Sequence, residues 1–406
     1  MHLLITEPAP GGHHLSAYSR YLIREACRRG WLPVLVTSPQ AQGHRALEML
    51  VDEFGDRLGV LEGPPVSLEQ VEGVWGLVAR QLRFFGWHKK AVAQARKFTA
   101  LDVVMVMSFD SIDRVAALVG PPTGSLPAAC LSVGVRYHWP GFGLAAKRRR
   151  DFVDRKLFER AISATQLKAL FVIDELYAEY ASRAGGDLAA KVAVVPDPGE
   201  VTNLTNKAAS RESLGIAQDA LVILVYGGIS ERKGIELLIQ AVADIDVSRK
   251  IVILLAGECG EDAHGILGRE SSRALVARGG LRVRDFFHDR QQEGEVFSAA
   301  DFVWVAYSPR FLKRSAVMSQ AAQAGLPCIA TAGGLIARIV TAHGLGPVLS
   351  GHDKQELIEL LYKLASDAEL LGYWSENARA YGQACSGEVF GAAVCDRLAL
   401  IHSHAS

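Results

Sequence analysis

The chain has 406 residues. That exceeds the roughly 250–300 residues at which one hydrophobic core stops growing, so two or three domains are expected. Apolar residues make up 49 % and charged residues 22 %, which excludes a disordered or collagen-like polymer. Lys plus Arg number 44 and Asp plus Glu number 44, and this zero balance argues against a dedicated nucleic-acid binder, so no nucleic-acid partner is expected.

The six cysteines (27, 130, 259, 328, 385 and 395) include no Cys-x-x-Cys pair, and most fall in apolar runs. They read as reduced core residues of a cytoplasmic protein, without a structural zinc site. The start, Met-His-Leu-Leu-Ile-Thr-Glu, has neither the basic stretch nor the small-residue cleavage site of a secretory leader. The strongly apolar runs are too short to span a bilayer and have the length of buried strands.

In chain order, Leu3–Thr6 reads as a strand that ends in the loop Pro8-Ala9-Pro10-Gly11-Gly12. Leu15, Tyr18, Leu22, Ile23 and Ala26 then recur at helical spacing up to Arg29, and Gly30 supplies the stop. Pro33–Thr37, Val103–Met107, Ala128–Val133, Ala169–Ile173 and Val192–Val195 read as further strands of a parallel, doubly wound sheet. The polar, turn-rich stretch Gly199–Ala217 reads as a boundary, after which the pattern restarts. Strands are expected at Leu221–Tyr226, Ile251–Ala256, Leu281–Val283, Phe302–Val305 and Cys328–Thr331. These elements predict an α/β chain of two Rossmann-like domains, residues 1–200 and 201–386, facing a cleft that would hold the ligand.

The sharpest local motif is Tyr226-Gly227-Gly228-Ile229-Ser230-Glu231-Arg232-Lys233-Gly234, which joins a strand to the helical run Ile235–Ala243. Glycines let backbone N–H groups approach a phosphate, Lys233 and Arg232 add positive charge, and the helix dipole favours an anion. The same residues also fit an ordinary strand-to-helix turn with a solvated Arg-Lys pair. A second turn, Arg310 to Met318, places Ser315 as N-cap of a helix from Ala316, with Lys313 and Arg314 beside it.

The first of these turns resembles the "Gly-Arg-Leu-x-x-x-Lys-Gly" loop of retaining glycosyltransferases of the GT-B fold, particularly family 4. Val194-Val195-Pro196-Asp197-Pro198-Gly199 is similar to that family's "Val-Ile-Pro-Asn-Gly" segment. Ala324-Gly325-Leu326-Pro327-Cys328-Ile329-Ala330 is similar to "Cys-Gly-Leu-Pro-Val-Ile-Ala", with Gly333-Gly334 following, and Gly11-Gly12 resembles the glycine pair of the first loop. The resemblance implies transfer of a sugar, with retention and no metal, from a UDP- or GDP-linked nucleotide-sugar donor to a glycan, lipid-linked or small-molecule acceptor, as in bacterial polysaccharide or glycolipid synthesis. No cofactor is implied. Lys233, Arg232 and His138 would be catalytic. Gly227, Gly228, Ser315, Ala316, Gln320 and Arg314 would bind the donor, and Gly11, Gly12, His13, His14 and Arg136 the acceptor. Residues 387–406 would form a helix returning to the first domain.

The chain departs from the family at three positions. A spaced pair of glutamates becomes Leu312 and Gln320, and Gly228 stands where the loop arginine would be, so that Arg232 is expected to substitute. A neutral amide still accepts a hydrogen bond from a ribose hydroxyl, whereas Leu312 does no polar work. These losses leave two rivals, a non-catalytic sugar or nucleotide binder and a sugar-nucleotide epimerase. The spacing Gly-x-Gly-x-x-Gly of a dinucleotide enzyme is absent at Gly11-Gly12. In residues 75–97 a stripe of Trp75, Val78, Leu82 and Phe85 is interleaved with Arg80, Arg83, Lys89 and Lys90. It reads either as a helix packed on the sheet or as a peripheral membrane contact at the inner face.

Overall fold

A computed structural model of the chain describes residues 1–11, 13–69, 73–246 and 250–404. Its contacts divide into two units, Met1–Asp197 with Gly387–Ser406, and Pro198–Ser386. Among the described residues no helix is long and apolar enough to cross a membrane.

The first unit is built on seven parallel strands: β1 (His2–Thr6), β2 (Leu32–Thr37), β3 (Gly59–Glu62), β4 (Val103–Val106), β5 (Ala128–Ser132), β6 (Leu167–Val172) and β7 (Val192–Val194). Their order is β3-β2-β1-β4-β5-β6-β7, so the direction of winding reverses between β1 and β4. Leu3, Ile5, Val103, Met105, Ala129 and Phe171 lie fully buried on one face of this sheet. Leu4, Val104, Val106, Cys130 and Leu170 lie on the other, as expected for a parallel sheet covered on both sides. The helix Gly387–Ser403 places Phe390, Val394, Cys395, Leu398 and Ile401 in the first of these clusters. Gly387 and Gly391 let it lie against Tyr21. A Cβ at Gly387 would fall 1.9 Å from the Tyr21 ring.

The second unit has six parallel strands: β8 (Leu221–Tyr226), β9 (Ile251–Ala256), β10 (Leu281–Arg284), β11 (Phe302–Val305), β12 (Cys328–Thr331) and β13 (Val348–Leu349). Their order is β10-β9-β8-β11-β12-β13, with the reversal between β8 and β11. In open α/β sheets, ligands bind outside the carboxyl ends of the strands at such a reversal. The residues to inspect are therefore those after β1 and β4 in one unit and after β8 and β11 in the other.

Several elements differ from expectation. β3 and β13 were not anticipated, because one is a half-exposed edge strand and the other only two residues long. The stretch read as a loose boundary belongs to the second unit and contains the helix Lys207–Ser213. Arg211 of that helix is buried and donates to Asp301 at 2.7 Å and to the Ala299 carbonyl at 3.0 Å. Charged residues there serve a buried ion pair. The first helix opens with a π-helical turn, His14–Ser19, before the α-helix Arg20–Arg28; such widened turns occur often at functional sites. In the helix Gly73–Ala95 the packed face is Phe84, Trp87, Ala91, Val92 and Ala95. Of the stripe read either as sheet-packing or as a membrane contact, Trp75, Val78 and Leu82 are exposed, Trp75 by 83 %, while Phe85 packs partly against the cluster.

Candidate functional site

In the second unit the turn after β8 is shaped by glycine. Gly227 and Gly234 both have positive φ, +80° and +69°. A Cβ at Gly234 would meet the Ala306 carbonyl oxygen at 2.6 Å, so no larger residue fits between this turn and the end of β11. Lys233 points inward and is only 3 % exposed. Its Nζ donates to the Tyr226 carbonyl oxygen and lies 5.4 Å from the centre of the Tyr307 ring, while the Trp304 indole N–H donates to the Lys233 carbonyl at 2.7 Å. Burial, with Arg232 as a neighbouring positive charge, pushes the ammonium pKa down to about 7. Among the described residues no carboxylate pairs with this desolvated amine, which suits it to meet an anion. Arg232 is exposed, with its guanidinium carbon 4.9 Å from the Phe311 ring centre and 5.5 Å from that of Tyr307. Gly228 is exposed, with nothing within 4 Å of where a Cβ would stand.

After β11, the helix Ala316–Gln323 begins at Ser315. Ser315 occupies the N-cap position, but its side chain makes no capping hydrogen bond; the hydroxyl pairs with the Tyr307 hydroxyl at 3.0 Å. That side-chain cap is a correction to the expected geometry. Ala316 opens the helix, and Val317 lies 3.9 Å from where a Gly227 Cβ would be. Arg314 donates to the Tyr381 hydroxyl at 2.7 Å, which ties it to the helix Ala368–Ala384. Leu312 acts through its backbone: its carbonyl accepts the Leu335 N–H at 2.9 Å, and Gly334 (φ +71°) leaves room for its Cα.

Gln320 is nearly buried and donates through Nε2 to Glu293 Oε1 at 2.8 Å. Glu293 lies on the helix Arg290–Ala299 and also hydrogen-bonds the Tyr226 side chain. Burial raises the Glu293 pKa, against the lowering effect of those two hydrogen bonds and of Arg290. The amide nitrogen of Gln320 is thus occupied, and its oxygen keeps its acceptor role.

In the first unit, the polar group after β1 is Glu7, which is fully buried. It accepts the Ala9 N–H at 2.9 Å, His14 Nδ1 at 2.8 Å and the Ser108 hydroxyl at 2.8 Å. Burial alone would raise its pKa; the charge and hydrogen bond of His14, with the other two donors, outweigh this and hold it below the usual value. Burial likewise works to lower His14, but Glu7 prevails and raises it. His13, by contrast, is lowered, chiefly by burial. His88 is buried beside Thr6, 3.0 Å from its hydroxyl, and burial takes its pKa down to about 4. After β4, Asp110 accepts the Ser132 hydroxyl at 2.5 Å and the backbone N–H groups of Val133 and Gly134 at 2.8 and 3.1 Å. Gly11 is exposed and Gly12 lies outside the described residues.

His138 is a correction. Its side chain is fully buried, bonds Asp174 at 2.8 Å through Nε2, and is ringed by Tyr137, Trp139, Phe142, Tyr177 and Tyr180. The side chain expected to face a cleft is thus enclosed by its own unit, held by Asp174 and aromatic rings. Arg136, two residues earlier, is exposed.

Residues 206–381 match the family of glycosyl transferases group 1. This segment is similar to group 1 glycosyl transferases. It covers nearly all of the second unit, including the Gly227–Gly234 turn, Glu293 and Gln320. The chain is also similar to D-inositol 3-phosphate glycosyltransferase of Streptomyces coelicolor, 30 % identical over 230 residues, which are 52 % of this chain and 48 % of that one. It therefore spans about half the length of the curated relatives it matches. Among solved structures, sucrose-phosphate synthase from Thermosynechococcus elongatus is similar over 99 % of both chains, with a TM-score of 0.70 and 16 % identity. Anabaena HepE in complex with UDP-glucose is similar over 98 % of this chain and 100 % of its own, with a TM-score of 0.68 and 15 % identity. The chain has the GT-B fold.

Within the matched segment, Glu293 carries no signal in the sequence alone. It sits on a helix whose only visible signal was ordinary polar patterning, 27 positions before Gln320. The capping box of Asp289 and Gln292 fixes the start of that helix and so the register that turns Glu293 toward Tyr226.

Proposed function

We propose that the chain transfers a sugar from a UDP- or GDP-linked donor to a glycan, lipid-linked or small-molecule acceptor, with retention of configuration. The observation that carries this reading is Lys233, buried beside the Gly227 turn at the strand reversal and, among the described residues, not paired with a carboxylate. It stands inside a matched group 1 glycosyl transferase segment. The similarity to HepE, which was solved with UDP-glucose, supports a uridine donor. In the reaction the bond from the anomeric carbon to the diphosphate oxygen breaks and one to the acceptor oxygen forms. The acceptor proton passes to the departing phosphate. Lys233 and the backbone N–H groups at Ser315 and Ala316 would stabilise the charge that develops there. Arg232, exposed on the same turn, adds charge. Gln320 would accept a ribose hydroxyl through its oxygen, with Glu293 holding the amide in place. His14, oriented by Glu7, would meet the acceptor hydroxyl, with His13, its neighbour in sequence, and Arg136 also on the acceptor side.

A thermal-shift panel of nucleoside diphosphates tests the donor half, since a selective ligand stabilises the folded state. One of UDP or GDP is expected to raise the melting temperature above the other nucleotides. Glu293→Gln is expected to reduce that shift and Gln320→Leu to reduce it further, with the double variant no worse than Gln320→Leu alone if the two act as one unit. Equal shifts for all nucleotides, or additive losses, would remove this assignment.

The exposed Trp75, Val78 and Leu82, continued by the exposed Lys89 and Lys90, favour a lipid-linked acceptor reached at a membrane surface. Sedimentation with anionic vesicles is expected for the unmodified chain and reduced for Trp75→Ser with Leu82→Ser; equal sedimentation of both would exclude that helix as the contact.

A further inference from the structure

Three side chains with metal-ligating atoms converge in the second unit. Cys259 follows β9, His264 lies on the helix Glu261–Leu267, and Asp285 directly follows β10. One ligand atom from each lies within 4.8 Å of the other two, and among the described residues no other group of three or more such side chains does this. The trio is already oriented. Asp285 accepts the Cys259 N–H through Oδ1 at 2.7 Å and bonds His264 Nε2 through Oδ2 at 2.7 Å. Sequence spacing did not signal it, because the three ligands come from separate elements brought together by the parallel pairing of β9 with β10.

The geometry points to a site for one divalent transition-metal ion of the zinc class, held by Cys259 Sγ, an imidazole nitrogen of His264 and the Asp285 carboxylate. A mixed sulfur, nitrogen and oxygen set suits zinc, whereas calcium and magnesium ask for oxygen alone. A thiolate and a carboxylate neutralise the dication, and the imidazole binds uncharged. The ion would take the place now filled by the hydrogen bond between His264 and Asp285. His264 and Asp285 are both exposed, so it can enter from solvent, and a water would complete a tetrahedral set.

The site lies behind the glycine turn. Ile229 donates to the Glu258 carbonyl at 2.8 Å and accepts from the Gly260 N–H at 2.9 Å, and Asp262 accepts the Glu231 N–H at 2.7 Å. A bound ion would therefore stiffen the segment that braces the turn and take no part in sugar transfer. Only this consequence rests on the donor reading; the site itself does not.

The test uses the full chain, free of any histidine tag and stripped with a chelator, with Co²⁺ as the optical probe and Zn²⁺ as competitor. One Co²⁺ per chain is expected, with a thiolate-to-metal charge-transfer band, intense tetrahedral visible bands, and displacement by Zn²⁺. Cys259→Ser should abolish the charge-transfer band. His264→Ala, a surface change that leaves the core untouched, should weaken Zn²⁺ by at least the about tenfold that losing even an outer partner costs. Cys27→Ser should change neither. Absence of the thiolate band, its survival in Cys259→Ser, or unchanged Zn²⁺ affinity in His264→Ala would overturn the site. None of these readouts depends on nucleotide binding.

Discussion

Lys233→Met is expected to weaken nucleoside-diphosphate binding by about 1.5–3 kcal/mol, roughly ten- to hundredfold, the usual worth of a hydrogen bond to a charged group. The larger effect is on protons. In the free protein burial and Arg232 bring the Lys233 pKa from 10.5 down to about 7, so at pH 8 most of these amines are neutral. A diphosphate beside the amine favours the charged form. Binding at pH 8 is therefore expected to take up close to one proton, and affinity should fall as pH rises above about 7. Calorimetry in buffers of different ionisation heat reads this directly: uptake in the unmodified chain, none in Lys233→Met. The same shift has a stability consequence. Between about pH 7 and 10.5 the folded state binds fewer protons at this site than the unfolded state, so its contribution to stability rises with pH there. Below that window the whole cost of burying the amine is present, and Lys233→Met is expected to stabilise the ligand-free protein at pH 7. No proton uptake, or a destabilised variant, would contradict the buried-cation account.

Glu7→Ala is expected to destabilise the first unit by about 3 kcal/mol, the scale for breaking a buried ion pair by removing one partner. Three donors, from Ala9, His14 and Ser108, lose their acceptor at once. The pH dependence has two arms. The lowered Glu7 pKa gives stability that is present above its unfolded value near 4.5 and lost as pH falls through the folded value. The raised His14 pKa gives stability that is present below its unfolded value near 6.5 and lost as pH rises through the folded value. The pair should therefore contribute most between about pH 4.5 and 6.5. His88, lowered to about 4, adds a separate acid-side loss below its unfolded value near 6.5, because it must stay neutral to remain buried. Denaturant melts across pH are expected to give a difference between the unmodified chain and Glu7→Ala that peaks inside the window. A difference independent of pH would show that Glu7 acts by packing alone.

Much of the fold was legible because both units use buried parallel strands, which print as short continuous apolar runs such as Leu221–Tyr226 and Ile251–Ala256. The elements that escaped were those with little to bury: β3 at a half-exposed edge, the two-residue β13, and the short helix Lys207–Ser213. In the candidate site, the glycine turn and Lys233 could be read because glycine at positive φ and a lysine before a helix leave a local signature. Position along the chain misled where the side chain's surroundings decide. His138 looked available from its place after a strand, yet aromatic packing and Asp174 enclose it. The stripe of Trp75, Val78 and Leu82 has core spacing, yet the neighbouring face, with Phe84 and Trp87, wins the sheet. Glu293 and the Cys259 trio were invisible because they draw their partners from distant segments, and Glu7 because its burial and its Ser108 donor depend on the neighbouring strand β4.

The central claim is sugar transfer, and the most direct measurement follows a donor's anomeric carbon by NMR while the purified chain is incubated with UDP- and GDP-sugars and a panel of glycan, lipid-linked and polyol acceptors. The account predicts a glycoside, or slow hydrolysis product, formed with the donor's anomeric configuration retained, and a rate that collapses in Lys233→Met. A donor that binds selectively yet gives neither product with any acceptor would contradict catalysis and leave the chain a nucleotide-sugar binder, and a product of inverted configuration would contradict the mechanism.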